Sequence, residues 1–145
     1  MQNLSRHIGT LTLKTPIILA PMAGISDLPY RLVMKRFGAG LVFTEMVSAN
    51  GLFYNGAATR ELLQSCPEEK PLGVHLFGDS PERLAEAAGI VAEGGDLIDI
   101  NLGCPVRKVV RSGAGSALLQ NPSKVGTIIR AVRRATDLPL TIKLR

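Results

Sequence analysis

The chain has no tryptophan, and phenylalanine and tyrosine make up only 4% of its 145 residues. Any core must therefore be aliphatic, and a 46% hydrophobic content supplies enough material for one domain of ordinary size. Cysteine is nearly absent. Cys66 and Cys104 cannot make a disulfide framework, and with no Cys-x-x-Cys pair and only two isolated histidines, His7 and His75, no metal site is expected. No apolar run approaches membrane-spanning length, and Met1 to His7 lack the apolar centre of a secretion signal, so a reducing cytoplasm is the expected compartment. Acid is scarce at one end only. Residues 104–145 carry nine Lys/Arg against Asp137 alone, whereas residues 1–103 carry eight against eleven acids. Such asymmetry points to a polyanionic partner or, more blandly, to a solvated helix face.

What is plentiful is punctuation. Fifteen glycines and nine prolines are spread between periodic segments, the pattern of many short turns and not of disorder. Strand and helix patterns alternate, which predicts parallel βα units. Ile8 to Lys14 reads as a hairpin arm, and Ile17 to Ala20 as a first buried strand ended by Pro21-Met22-Ala23-Gly24. A helix follows from Leu28 to Phe37, capped by Asp27 and stopped by Gly38. Leu41 to Thr44 reads as a second strand with Glu45-Met46 at its end, Arg60 to Gln64 as a weaker helix, and Leu72 to Phe77 as a third strand. Ser80-Pro81 starts the clearest helix, with Leu84, Ala87, Ala88 and Val91 on one face. Leu97 to Asn101 is the fourth strand, Asn121-Pro122 starts another helix, and Leu138 to Leu144 is the fifth strand.

Five βα steps suit part of a (β/α)8 TIM barrel, which needs eight strands and about 250 residues. A doubly wound sheet would carry a Gly-x-Gly-x-x-Gly turn after its first strand, and that turn is missing. The expected fold is therefore α/β, the first five units of a barrel.

Polar residues gather at the expected strand ends, where a barrel does its chemistry. These are Pro21-Met22-Ala23, Glu45, His75, Asn101 with Cys104, and Lys143 with Arg145. Singly, each has a plain structural reading: a turn, a cap, a satisfied histidine, a structural thiol. Lys143 is less plain, because a lysine in a buried strand needs a partner. Together, and under Gly113-Ala114-Gly115, whose glycines would let the backbone approach a flat ligand, they suit a planar cofactor. The lysine would stabilise charge on its reduced ring, and the cysteine would act as general acid or nucleophile.

Five segments in register carry a resemblance: Ala20-Pro21-Met22-Ala23-Gly24-Ile25-Ser26-Asp27, Thr44-Glu45-Met46, Asp99-Ile100-Asn101-Leu102-Gly103-Cys104-Pro105, Gly113 to Leu119, and Thr141-Ile142-Lys143-Leu144-Arg145. With them the chain resembles the tRNA-dihydrouridine synthases, nearest the bacterial B-type branch. The resemblance implies an FMN-dependent TIM barrel, monomeric at full length, with a helical tRNA-binding domain beyond residues 1–145. It implies that NADPH reduces FMN, that hydride passes to C6 of a uracil flipped out of tRNA, and that Cys104 protonates C5. By the same resemblance Pro21, Met22, Ala23 and Lys143 contact the flavin, while Asn101, Glu45 and Arg145 belong with the substrate. The family usually has glutamine at the position of His75, where its amide meets the flavin pyrimidine edge. An imidazole there departs from the pattern. The phosphate-binding strands seven and eight are expected beyond Arg145.

Three other readings compete. Another FMN barrel, of the dihydroorotate dehydrogenase type, would use its cysteine as a base on a free pyrimidine. A non-catalytic RNA-binding module would bind with steep salt dependence and carry no flavin. The chain could also be an inactive fragment of the barrel.

Overall fold

The structure is a computed structural model that describes residues 6–145. The part of the leader reading that falls on residues 1–5 lies outside them. An antiparallel hairpin, β1 (His7–Ile8) and β2 (Leu11–Thr12), comes first. There follow α1 (Leu28–Arg36), β3 (Val42–Ser48), α2 (Ala49–Phe53), α3 (Ala57–Glu61), β4 (Leu72–Phe77) and α4 (Pro81–Val91). Then come β5 (Leu97–Asn101), α5 (Arg107–Arg111), α6 (Pro122–Ala135) and β6 (Leu140–Lys143). Strands β3, β4, β5 and β6 pair in chain order as one parallel sheet. The architecture is α/β, as the alternating pattern predicts.

The long helices start where capping chemistry places them. Asp27, Ser80 and Asn121 accept hydrogen bonds from the main-chain N–H of Tyr30, Arg83 and Lys124, and each cap is followed by a proline in the first turn. One sheet face is covered by helices. Val74, Leu76, Ile98 and Ile100 pack there against Leu84, Ala88 and Val91 of α4 and Ile128 and Val132 of α6. Each such buried aliphatic side chain contributes about 1.5–3 kcal/mol. The strands alternate, so residues 73, 75, 97, 99, 101, 141 and 143 project to the opposite face. The hairpin closes the lower end of that face, where Leu13 packs with Leu41, Phe43 and Leu97.

Four expectations are corrected. Ile17 to Ala20 is not a strand: it makes a single parallel bridge, Ile18 to Leu41, and Ile17 and Ile18 remain exposed because only one side of the segment has a neighbour. The sheet therefore has four paired strands and not five. The second strand does not stop at Thr44. It runs to Ser48 through a bulge, since Phe43 pairs with Gly73 and Met46 with His75, leaving one extra residue on β3. The Thr44 hydroxyl fills the gap in the ladder by accepting from the His75 main-chain N–H at 3.1 Å. The weak helix lies upstream, as α2 and α3, because Ser48 caps the first of these by accepting from the Gly51 N–H. The fifth strand is shorter than its apolar run, covering only Leu140–Lys143.

Candidate active site

The loop after β5 is held at both ends. Asn101 Oδ1 accepts from the main-chain N–H of Gly103 at 3.0 Å and of Cys104 at 2.9 Å. The Cys104 carbonyl accepts from the Ser116 N–H at 3.0 Å. Gly115, at φ +61°, permits that last contact, because a Cβ there would lie 2.6 Å from the Cys104 carbonyl oxygen. Of the glycines in Gly113-Ala114-Gly115, Gly115 thus serves the Cys104 loop, whereas Gly113 faces the Asp79 side chain. The Cys104 thiol is free and half-buried.

A recess of about 230 Å³ opens beside this thiol. Of the residues singled out in the sequence, Pro21, His75, Asn101, Cys104, Lys143 and Arg145 line it. Met22, Ala23 and Glu45 do not. Met22 instead closes a tight turn, its carbonyl accepting from the Ser26 N–H and hydroxyl, while a Glu45 carboxylate oxygen accepts from the Gly24 N–H. Glu45 also borders a separate hollow with Asp27 and Arg31. A second groove of about 290 Å³ adjoins the recess, sharing Pro21 and Lys143 with it and lined by apolar Ile18, Leu41 and Phe43.

Lys143 corrects an expectation. Half-buried on β6, it makes no hydrogen bond or ion pair among the described residues, although it was expected to need one. It escapes the cost because its position borders open space on both the recess and the groove. His75 is the reverse case. It sits in mid-strand and not at a strand end, 2% exposed, with Nδ1 2.6 Å from Asp99 Oδ2. Asp99 Oδ1 in turn accepts from the Thr141 hydroxyl at 2.6 Å. Neither Asp99 nor Thr141 was singled out as a site residue. The available signal was an acid in the middle of Leu97-Ile98-Asp99-Ile100, which burial obliges to find partners.

Residues 18–145 match the family model described as Dihydrouridine synthase (Dus). The chain belongs to this family. It is 44% identical over 140 residues to tRNA-dihydrouridine synthase B of Xanthomonas campestris, covering 96% of this chain and 42% of that protein. It is 45% identical to tRNA-dihydrouridine synthase B of Pseudomonas aeruginosa over the same shares. A probable tRNA-dihydrouridine synthase of Rhodobacter capsulatus is 44% identical over 95% of this chain and 43% of its own length. The chain spans less than half the length of these relatives.

The basic residues of the chain do not form one face. Arg107, Lys108 and Arg111 on α5 follow directly on Cys104 and are exposed. Arg133 and Arg134 lie in the last turn of α6, just before β6 begins, at the opposite end of the sheet from Cys104. Lys124 pairs with Asp79 at 3.1 Å. Among the described residues no helix is long and apolar enough to cross a membrane, and no three His, Cys, Asp or Glu side chains come together as a metal site.

Proposed function

We propose that the chain is the N-terminal portion of an FMN-binding TIM-barrel domain that reduces uridines of tRNA to 5,6-dihydrouridine, acting in the cytoplasm with a C-terminal helical domain. The observation that carries the reading is a thiol, Cys104, fixed by Asn101 and Ser116 at a recess it shares with Lys143 and His75. The similarity to tRNA-dihydrouridine synthases supports the substrate class. The residues fit a flavin: an unpaired ammonium, a buried imidazole with one free nitrogen, and an apolar groove joined to a polar recess suit a planar ring with carbonyl and N–H edges. Lys143, His75 and Pro21 would hold it. Bound FMN, recharged by NADPH, supplies the hydride that C6 of the uracil must receive.

The chain's own residues do the rest. Cys104 keeps a proton for C5, the neighbour of the carbon that takes hydride, so reduction of the C5=C6 bond is completed without a free carbanion. Asn101 has its carboxamide oxygen committed to the loop, which leaves its NH2 to donate to a uracil carbonyl. Arg145, and Arg107, Lys108 and Arg111 beyond the thiol, supply charge for tRNA phosphates. The test is Cys104→Ala in the full-length protein that contains these residues, assayed on unmodified tRNA with NADPH. Retained flavin with uridine reduction abolished is the expected result; unimpaired turnover would sink the acid role, and turnover of dihydroorotate instead of tRNA would sink the substrate.

A further inference from the structure

The side chains around the recess are not evenly matched in hydrogen-bonding capacity. Lys143 and Arg145 can only donate, and Asn101 has spent its oxygen on the Cys104 loop, so its NH2 donates as well. The Cys104 thiol donates weakly. Among the described side chains lining the recess, that leaves His75 as the remaining strong candidate acceptor, and which of its nitrogens carries the proton decides what the site can bind.

The neighbouring strands decide it. His75, Asp99 and Thr141 are successive register partners on β4, β5 and β6. Asp99 is 4% exposed and both its oxygens are engaged, one by the Thr141 hydroxyl and the other by His75 Nδ1, each at 2.6 Å. An ionised carboxylate only accepts, so Nδ1 is the protonated nitrogen. With the ring neutral, Nε2 then carries a lone pair. It makes no hydrogen bond with any described residue, and among the described residues no buried side-chain nitrogen or oxygen is left wholly without a partner, so Nε2 is the ring atom that meets the recess. The other charged group near this strand, Glu45 on β3, turns to Gly24 and a different hollow.

We infer that Asp99 and Thr141 are positioning residues that lock His75 as an acceptor, so that the recess offers an acceptor on β4, beside the donors Asn101 and Lys143 on β5 and β6, to the imide edge (C=O, N–H, C=O) of a pyrimidinedione ring. The inference rests on the function proposed above and goes beyond it, because it assigns the direction of a hydrogen bond that a glutamine could make either way. Two rings in that chemistry have the edge: the flavin and the substrate uracil.

The experiment uses the full-length protein with three readouts. Nitrogen-15 NMR of the histidine rings, without flavin, should show His75 protonated on Nδ1 in the wild type and on Nε2 in Asp99→Asn, whose carboxamide would donate to Nδ1. Binding of FMN against N3-methyl-FMN, followed by flavin fluorescence, should favour FMN on the order of tenfold in the wild type, the effect of one unmatched polar group. In Asp99→Asn the affinity for FMN should fall by a similar factor and the preference shrink, while His75→Gln should restore both. If the imide read is the uracil's, FMN binding is unchanged and KM for tRNA rises in Asp99→Asn instead, with kcat held. A wild-type His75 protonated on Nε2, or an Asp99→Asn protein with unaltered FMN affinity and unaltered KM, would overturn the inference. A wild-type protein that takes up no flavin and leaves tRNA unreduced sinks the proposed function, and the tautomer measured by NMR is decided separately.

Discussion

Asn101 Oδ1 bridges the main-chain N–H groups of Gly103 and Cys104, at 3.0 and 2.9 Å, so the residue that ends β5 also sets the course of the cysteine loop. Replacing it separates two roles. Asn101→Asp keeps an acceptor for both N–H groups, whereas Asn101→Ala leaves buried donors unmatched, at a cost of about 1–3 kcal/mol. The alanine variant should unfold at lower denaturant concentration and expose Cys104 to faster alkylation; the aspartate variant should do neither. If Asn101 also donates its NH2 to the uracil, both variants lose uridine reduction. An aspartate variant with full turnover would restrict Asn101 to holding the loop.

Gly115 and Gly113 offer a matched pair for testing the second anchor of that loop. Both have positive φ, +61° and +81°, so alanine is strained at either by about 1 kcal/mol or somewhat more. Only at Gly115 would the new Cβ also strike main chain, the Cys104 carbonyl at 2.6 Å; at Gly113 it meets Asp79 side-chain atoms no closer than 3.4 Å. Gly115→Ala should therefore be the more destabilising of the two in chemical denaturation and should change the alkylation rate of Cys104. Gly113→Ala should leave that rate at the wild-type value. Equal effects of the two on the thiol would show that the close approach at Gly115 does not hold Cys104.

The contrast between these glycines marks where reading the sequence stops. Helix starts were legible because Asp27, Ser80 and Asn121 act within four residues of themselves, each with a proline to fix the first turn. β4 and β5 were legible as apolar runs bounded by punctuation, and their bounds agree with the structure residue for residue. β3 was cut short because Glu45 reads as a strand end, when a bulge lets the strand carry a charge past the sheet. Ile17 to Ala20 has the composition of a buried strand, but it meets the sheet through a single bridge, Ile18 to Leu41, which is too little pairing to make it a strand. The candidate site was legible as a set of residue types, six of which do share one recess. Its wiring was not. Which oxygen of Asp99 meets His75 and which meets Thr141 depends on register between strands, across more than twenty residues of chain, and composition carries no register.

Arg31 was equally invisible, since a lone arginine on a helix normally reads as a solvated charge. It is 2% exposed, paired with Glu69 through Nε at 2.5 Å, and donates further to the carbonyls of Ser26 and Gln64 at 2.8 and 2.7 Å. It ties α1 to the turn that carries Pro21 and Met22 and to the segment before β4. Removing one member strands a buried charge, so Arg31→Met or Glu69→Leu alone should cost about 3–5 kcal/mol in equilibrium unfolding. The double replacement should recover part of that loss. Additive losses in the double variant would mean that the pair is not coupled and that the carbonyl contacts carry the stability.

The first turn of α4 gives the pH dependence a definite sign. The Ser80 hydroxyl donates to Glu82 at 2.7 Å and accepts from the Arg83 N–H at 3.2 Å. That hydroxyl, followed by the helix main chain, holds the Glu82 carboxyl below the usual glutamate range. Because the folded value is the depressed one, the unfolded chain binds more protons between the two values. The stabilisation is therefore complete above the ordinary glutamate value and is lost as pH falls through the folded one. Ser80→Ala removes the cap, at about 1 kcal/mol near neutral pH, and frees the carboxyl to titrate higher. The stability gap between wild type and Ser80→Ala, measured by urea unfolding, should narrow in acid without closing, since the bond to the Arg83 N–H does not titrate. A gap that stays constant from neutral pH into the acid range would show that Glu82 draws nothing from Ser80.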